Sequence, residues 1–235
     1  MRIVITRPQA DGERTATALR ARGHEVLVAP LMRVETIAAN LAGAWGAVIV
    51  TSANAPSALA YDPARDALIK LPLFAVGQRS AEAARQAGFI NVTSAGGDVR
   101  DLVSTLMGQH ANIKAPLLYL AGEDRATDLV GELSTHGIAA EMRIVYRAVA
   151  APFPSALIEA LKAGQVDVVM HFSRRSAENY LAGAKKAGIG GPALAVRHLC
   201  LSPKVAKPLA GAARIAIAAR PDEAALVELL QAQQG

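Results

Sequence analysis

Two kinds of unit each occur twice along the chain, in the order A-B-A-B, and this repeat limits the fold more than any single motif. The first A unit opens on the apolar strand Val4-Ile5-Thr6-Arg7-Pro8. It continues as a helical stretch to Leu19, turns at Gly23 and returns as Glu25-Val26-Leu27-Val28. Leu117-Leu118-Tyr119-Leu120-Ala121-Gly122 begins the second A unit. Leu133 and Gly137 there stand at the same offset, 114 residues, from Leu19 and Gly23. The first B unit, Ala47-Val48-Ile49-Val50-Thr51-Ser52, is echoed by Val168-Val169-Met170-His171-Phe172-Ser173. Each B copy is followed by a second strand and a small turn, Phe74-Ala75-Val76-Gly77 and Leu199-Cys200-Leu201-Ser202. Two similar lobes of this kind are expected to hold a ligand between them.

Strand-length Val/Ile/Leu/Ala runs alternate with helical stretches almost throughout, the pattern of βα units on parallel sheets with helices on both faces. Glycines 23, 88, 137, 164 and 188 fall where helices should stop. Asp98 is placed to cap one helix, and Pro221 with Asp222 and Glu223 to open the last, over Pro221–Gln231; another helix is expected over Ser80–Ala87. An A unit alone is too small to bury both faces of its sheet, so each must join a B. Sequential pairing makes domains of roughly 1–110 and 115–235. Crossed pairing makes one domain from the two ends and another from the middle. Leu31–Ile37 and Arg147–Pro154 read as connections, and both pairings accommodate them.

With 235 residues, 52% hydrophobic and 19% charged, the chain can bury a sizeable core and is not a disordered type. Its apolar runs are strand-length, far short of the roughly 20 residues needed to cross a membrane, and no signal-peptide core follows Met1. A membrane role is therefore not expected, and the cytoplasm is the expected compartment. The single cysteine, Cys200, excludes an internal disulfide and reads as a small buried hydrophobe. A net charge of +5 suits an anionic partner. Lysines and arginines are dispersed, however, and aromatics make up only 4%, so a small polyanionic metabolite is expected in place of nucleic acid.

In open parallel sheets, ligands sit beyond the carboxyl ends of the strands. Those ends read Thr6-Arg7, Thr51-Ser52-Ala53-Asn54, Gly77-Gln78-Arg79-Ser80, Ala121-Gly122, Ser173-Arg174-Arg175-Ser176 and Ser202-Pro203-Lys204. Each begins a helix, whose unpaired N–H groups and partial positive charge suit carboxylates or phosphates; the same hydroxyls also serve as ordinary helix caps. Thr6, Arg7, Thr51, Ser52, Asn54, Gly77, Gln78, Gly122, Ser173, Arg175, Ser176 and Ser202 are thus the candidate binding residues. No Gly-rich dinucleotide fingerprint or phosphate-binding loop occurs, which disfavours a NAD-linked enzyme. The five histidines (His24, His110, His136, His171 and His198) share no metal-ligand spacing, so no metal site is expected. No nucleophile elbow appears, and Glu123-Asp124 beside Arg125 reads as a helical first turn. Tyr146, at the end of the second A unit, is the one candidate for proton donation.

Across these junctions the chain resembles the uroporphyrinogen-III synthase family. The matching pieces are Val4-Ile5-Thr6-Arg7-Pro8, Val50-Thr51-Ser52-Ala53-Asn54-Ala55, Phe74-Ala75-Val76-Gly77, Leu120-Ala121-Gly122 with Arg125, Val145-Tyr146-Arg147, Phe172-Ser173 with Arg175-Ser176-Ala177, and Cys200-Leu201-Ser202-Pro203 with Val205-Ala206. They span nearly the whole chain. Arg174 stands where the family often has proline, and Pro56 where it often has a small aliphatic residue.

The resemblance implies the crossed pairing, in two flavodoxin-like α/β domains with a cleft between them. Residues 1–31 with 155–235 would form one domain and 38–146 the other, with 32–37 and 147–154 as a two-stranded linker. It implies a monomeric enzyme, a hydro-lyase of heme biosynthesis that uses no cofactor. The linear tetrapyrrole hydroxymethylbilane would lose its terminal hydroxyl as water and close to uroporphyrinogen III with its last pyrrole ring inverted. Tyr146 matches the family's cleft tyrosine, while Thr6, Thr51, Ser52, Asn54, Ser173, Ser176 and Ser202 match polar strand ends. Dispersed arginines and helix N-termini suit a substrate rich in acetate and propionate groups. A non-catalytic two-lobed binder of an anionic metabolite is the alternative that the residues also allow.

Overall fold

The computed structural model describes residues 1–109, 113–125 and 127–231; His110 and the final four residues lie outside them. In chain order the elements are β1 (Arg2–Ile5), α1 (Gln9–Arg20), β2 (Glu25–Val28), β3 (Met32–Thr36), β4 (Ala47–Val50), α2 (Asn54–Ser57), α3 (Arg65–Leu68), β5 (Leu73–Ala75), α4 (Gln78–Gln86), β6 (Val92–Ser94) and α5 (Val99–Gln109). Then follow β7 (Leu117–Gly122), α6 (Leu129–Thr135), β8 (Ala140–Ala150), α7 (Ser155–Lys162), β9 (Val168–His171), α8 (Arg174–Lys186), α9 (Gly190–Ala195), β10 (Arg197–Cys200), α10 (Pro203–Ala206), β11 (Arg214–Ile217) and α11 (Glu223–Gln231). Two compact units result, residues 1–33 with 149–235, and residues 34–148.

The crossed pairing is the one realised. The first unit's sheet has the order β11-β10-β9-β1-β2, and the second's is β3-β8-β7-β4-β5-β6. Strands β1 and β2 of the first A unit thus join the second B unit, and β7 and β8 of the second A unit join the first B unit. With β3 set aside, both sheets have the same spatial arrangement, an A pair beside a B trio, reached by different chain orders. In flavodoxin-like numbering that arrangement is 2-1-3-4-5. The pairings β1–β2, β1–β9, β9–β10, β10–β11, β4–β5, β5–β6, β4–β7 and β7–β8 are all parallel. The repeat-matched residues behave alike. Leu19 and Leu133 are fully buried, and Gly23 (φ 80°) and Gly137 (φ 72°) end their helices in the left-handed region that favours glycine.

The expected linker segments are strands. β8 runs unbroken to Ala150, and β3 lies beside it. The Ile37 N–H donates to the Val145 carbonyl (2.8 Å) and the Ala151 N–H to the Leu31 carbonyl (3.1 Å), so these two segments run in opposite directions. The proline-rich stop in 147–154 begins only after Ala150, because Pro152 and Pro154 are its first residues without an N–H to give.

Alternate residues of each strand enter opposite cores. Val4 and Val169 pack against Leu157, Leu161 and Tyr180, while Ile3, Ile5 and Met170 pack against Leu19, Leu226 and Leu230. In the second unit, Val48, Val50, Leu118 and Leu120 meet Ala55, Leu59 and Ala81, and Ile49, Leu117 and Tyr119 meet Leu102, Leu106 and Leu133. The central strands are thus covered on both faces, which leaves their ends as the main places open to polar groups.

One polar cluster is embedded in the first unit. The completely buried His171 and His198 rings join through His171 Nε2 and His198 Nδ1, 3.1 Å apart. His198 Nε2 lies 3.1 Å from the Ala193 carbonyl, which can only accept, so that nitrogen carries the proton. His198 Nδ1 is then the acceptor, and His171 donates to it from Nε2. The Tyr180 hydroxyl donates to the same Ala193 oxygen (3.0 Å). Burial holds His198 down to about 4, and burial, followed by the neighbouring His198, holds His171 well below the ordinary imidazole value.

The folded state therefore keeps both rings neutral where the unfolded chain takes up protons. This contribution to stability is fully present above about pH 6.5 and lost as the pH falls toward 4, by about 1.4 kcal/mol per histidine for each pH unit. Urea titrations at pH 7 and pH 5 should show a loss of about 2 kcal/mol from His198, and a further loss from His171, in the native chain. A variant with both histidines replaced by glutamine should lose much less. Equal losses would remove the pair from the acid sensitivity.

Candidate functional site

Each sheet reverses its strand order at one place, where the connections leave on opposite faces and open a crevice at the carboxyl ends. In the first unit that place lies between β1 and β9, in the second between β7 and β4. Thr6 and Arg7 end β1, Phe172 and Ser173 follow β9, Ala121 and Gly122 end β7, and Thr51 and Ser52 follow β4. The remaining tips are Gly77-Gln78 after β5 and Ser202 after β10.

The tip of the first unit is knitted internally. Thr6 is completely buried, and its hydroxyl donates to the Met170 carbonyl (2.9 Å), joining β1 to β9. Arg7 reaches Glu223 (2.6 Å), Thr15 (3.1 Å) and, more loosely, Asp11 (3.9 Å), and its guanidinium lies 4.3 Å from the centre of the Phe172 ring. Thr15 also donates to Glu223 at 2.6 Å. These hydroxyl and Arg7 contacts hold the Glu223 carboxyl below its ordinary value, although partial burial acts in the opposite sense. Ser173 caps α8, accepting from the Ser176 N–H (3.1 Å) and donating to the Ser176 hydroxyl (2.9 Å). Ser176 is buried, whereas Arg175 is exposed on the first turn of α8. Ser202 opens α10 but its side chain makes no capping bond, so its hydroxyl is not used by the helix.

In the second unit, Ser52 accepts from the Asn54 N–H (3.2 Å), and Asn54 is exposed at the start of α2. Gly77 precedes α4 in an extended conformation open to any residue, and a side chain there would meet nothing within 4 Å. The N-terminus of α4 is thus uncovered at that point. Gln78 is exposed and donates to Glu82 (3.1 Å).

Gly122 is one of the positions where close approach favours glycine. A Cβ there would lie 2.6 Å from Cζ and 2.7 Å from the hydroxyl of Tyr146, so the tyrosine ring rests directly on the backbone of β7. The Glu123 N–H donates to the Tyr146 carbonyl (2.9 Å), and Arg125 donates to the Gly122 (3.0 Å) and Glu123 (3.1 Å) carbonyls. Tyr146 itself is half-buried, with its ring at the strand tip.

Tyr119 is a residue that sequence reasoning left in the core. Its hydroxyl lies 2.9 Å from Thr51 Oγ1, and burial raises its phenol above the ordinary value, with the Thr51 bond acting the other way. A tyrosine inside the otherwise aliphatic Leu117–Gly122 strand was the available signal, because a buried phenol needs a partner. It also lines a cavity of about 260 Å³ with Arg125, Thr127 and Asp128. Another cavity, about 830 Å³, lies elsewhere, between residues 36–42 and 57–64. Six of its fourteen lining residues are alanines and its one charged lining residue is the acidic Asp62, so it suits a polyanion poorly. Among the described residues, no group of three or more His, Cys, Asp or Glu side chains could hold a metal ion, and no helix is long and apolar enough to cross a membrane.

The family model for Uroporphyrinogen-III synthase HemD matches residues 13–228. No curated protein sequence matches the chain. Among solved structures, a uroporphyrinogen-III synthetase from Helicobacter pylori is similar over 100% of both chains, at 19% identity with a TM-score of 0.66. A mutant uroporphyrinogen III synthase from Thermus thermophilus aligns over 100% of this chain and 99% of its own, at 17% identity and a TM-score of 0.48. The first likeness supports the fold, and the family match covers almost all of the sequence, including every strand tip except that of β1. This chain belongs to the uroporphyrinogen-III synthase family.

Proposed function

We propose that this chain closes hydroxymethylbilane to uroporphyrinogen III with inversion of the last pyrrole ring, acting as a hydro-lyase, as a cytoplasmic monomer and without a cofactor. The observation that carries the mechanism is the Tyr146 ring resting on Gly122 at the tip of β7. As the terminal C–O bond breaks, the pyrrole nitrogen lone pair forms the azafulvenium cation, which gives the azafulvene on losing its N–H proton, and the departing oxygen takes a proton to leave as water. A phenol held at a strand tip is suited to donate to that oxygen. The azafulvene forms readily, so strong acid–base machinery is not needed. The larger task is orientation: the chain's acid arms must be held so that ring inversion outruns direct closure. Uncovered N–H groups at the start of α4 and the free hydroxyl of Ser202 are hosts for those arms. Thr6 and Arg7, tied into the first unit, support the tip from within.

Tyr146→Phe should slow ring closure several-fold or more while leaving the thermal unfolding transition in place. Unchanged turnover would take Tyr146 out of the mechanism. Gly122→Ala puts a methyl where the Tyr146 ring now lies. It should cut turnover comparably and add little in the Tyr146→Phe background, as rates of isomer formation from fresh hydroxymethylbilane will show. Ser202→Ala should raise the Michaelis constant about fivefold, the loss of one hydrogen bond worth about 1 kcal/mol. A native constant would assign Ser202 a purely local role. If the native chain yields only the unrotated isomer, the reading fails in favour of a binding protein.

A further inference from the structure

Thr51 and Tyr119 come from adjacent strands, β4 and β7, and their oxygens meet at 2.9 Å at the place where the second sheet reverses its order. Either oxygen could donate, so chemistry must decide the direction. A phenol O–H is a far stronger acid than an alcohol O–H, and its oxygen is a weaker acceptor because a lone pair is shared with the ring. The favoured arrangement has Tyr119 donating and Thr51 accepting. Tyr119 is 4% exposed and fixed in the core by Leu102, Leu106 and Leu133, so the phenol cannot turn elsewhere. Its proton stays in place at working pH, because burial disfavours the phenolate. Thr51, by contrast, is only partly buried.

An accepting Thr51 has one lone pair occupied and its own hydrogen free. Hydrogen bonds in such a chain polarise one another, which makes the outer O–H a better donor. An arriving carboxylate is then favoured at this tip over a pyrrole N–H, which would need Thr51 to accept a second time.

We infer that Tyr119 is a positioning residue that sets Thr51 as a hydrogen-bond donor, so that this tip of the second sheet selects a substrate carboxylate. This rests on the proposed ring-closing activity and adds a specificity element to it.

The test is a double-mutant cycle on the full chain with freshly made hydroxymethylbilane, following Michaelis constant, turnover and isomer ratio. Tyr119→Phe should raise the Michaelis constant about three- to tenfold with little change in turnover. Thr51→Val should do the same, and the double variant should be no worse than Thr51→Val alone. Thr51→Ser, which keeps the hydroxyl, should retain most of the native affinity. Additive effects, or a native Michaelis constant in Tyr119→Phe, would overturn the inference while leaving the activity standing. If the native chain makes no rotated isomer, the activity itself falls and the inference with it. A second arm covers the case in which Tyr119→Phe unfolds. 3-Fluorotyrosine placed at position 119 keeps the shape and strengthens the donor, so the Michaelis constant should fall; an unchanged or higher value would overturn the inference.

Discussion

A parallel sheet covered by helices on both faces leaves its central strands no solvent-facing side, and this burial constrains the rest of the chain. Val168, Val169, Met170 and His171 of β9 are all buried, as are Ala47 to Val50 of β4. Much of the polar chemistry therefore gathers at or just beyond the strand ends, with Tyr119 on β7 and Tyr146 on β8 reaching it from within their strands. Most of these tips lead straight into a helix, whose first main-chain N–H groups have no partner within the helix; after Gly122 the helix begins only at Leu129. The short sequences Thr51-Ser52, Gly122, Ser173 and Ser202 are what that confinement looks like in one dimension.

The tips divide into those that hold the protein and those open to a ligand. In the first unit, Thr6 braces β1 against β9, Arg7 joins β1 to the last helix through Glu223, and Ser173 caps α8. Ser202 there opens α10 without a capping bond from its side chain. In the second unit, by contrast, Tyr146 lies across Gly122, and Thr51 leans on Tyr119. A hydroxyl chain and a phenol on a bare backbone are arrangements that packing alone does not require.

Much of the fold was legible because its signals are local. Apolar runs gave the strands, glycines such as Gly23 and Gly137 marked helix ends, and Asp98 accepts from the Arg100 and Asp101 N–H groups as a cap should. Residue patterns left the domain pairing open; the family resemblance indicated the crossed solution, which the sheet order then displayed. What stayed hidden depends on partners far away in sequence. Arg7 looked like an anion host, but the carboxylate that engages it is 216 residues on. His171 and His198 shared no motif spacing, yet adjacent strands bring their rings together. Tyr119 did not stand out because it lies inside an apolar strand run, and such a run says nothing of what a ring tip touches.

The crossed sheet order also has a consequence for how the chain is made. A ribosome delivers β1, α1 and β2 first, but β1 must pair with β9, and the Arg2 N–H finds Asp167 only 165 residues later. Residues 34–148 contain all the strands of their own sheet except part of β3 and the end of β8. The inner unit can therefore condense while the first βαβ piece waits, one edge of β1 unpaired, for the far end of the chain to emerge. Nascent chains of this design carry an exposed strand edge for most of their synthesis, and slow translation prolongs the time in which that edge can pair wrongly.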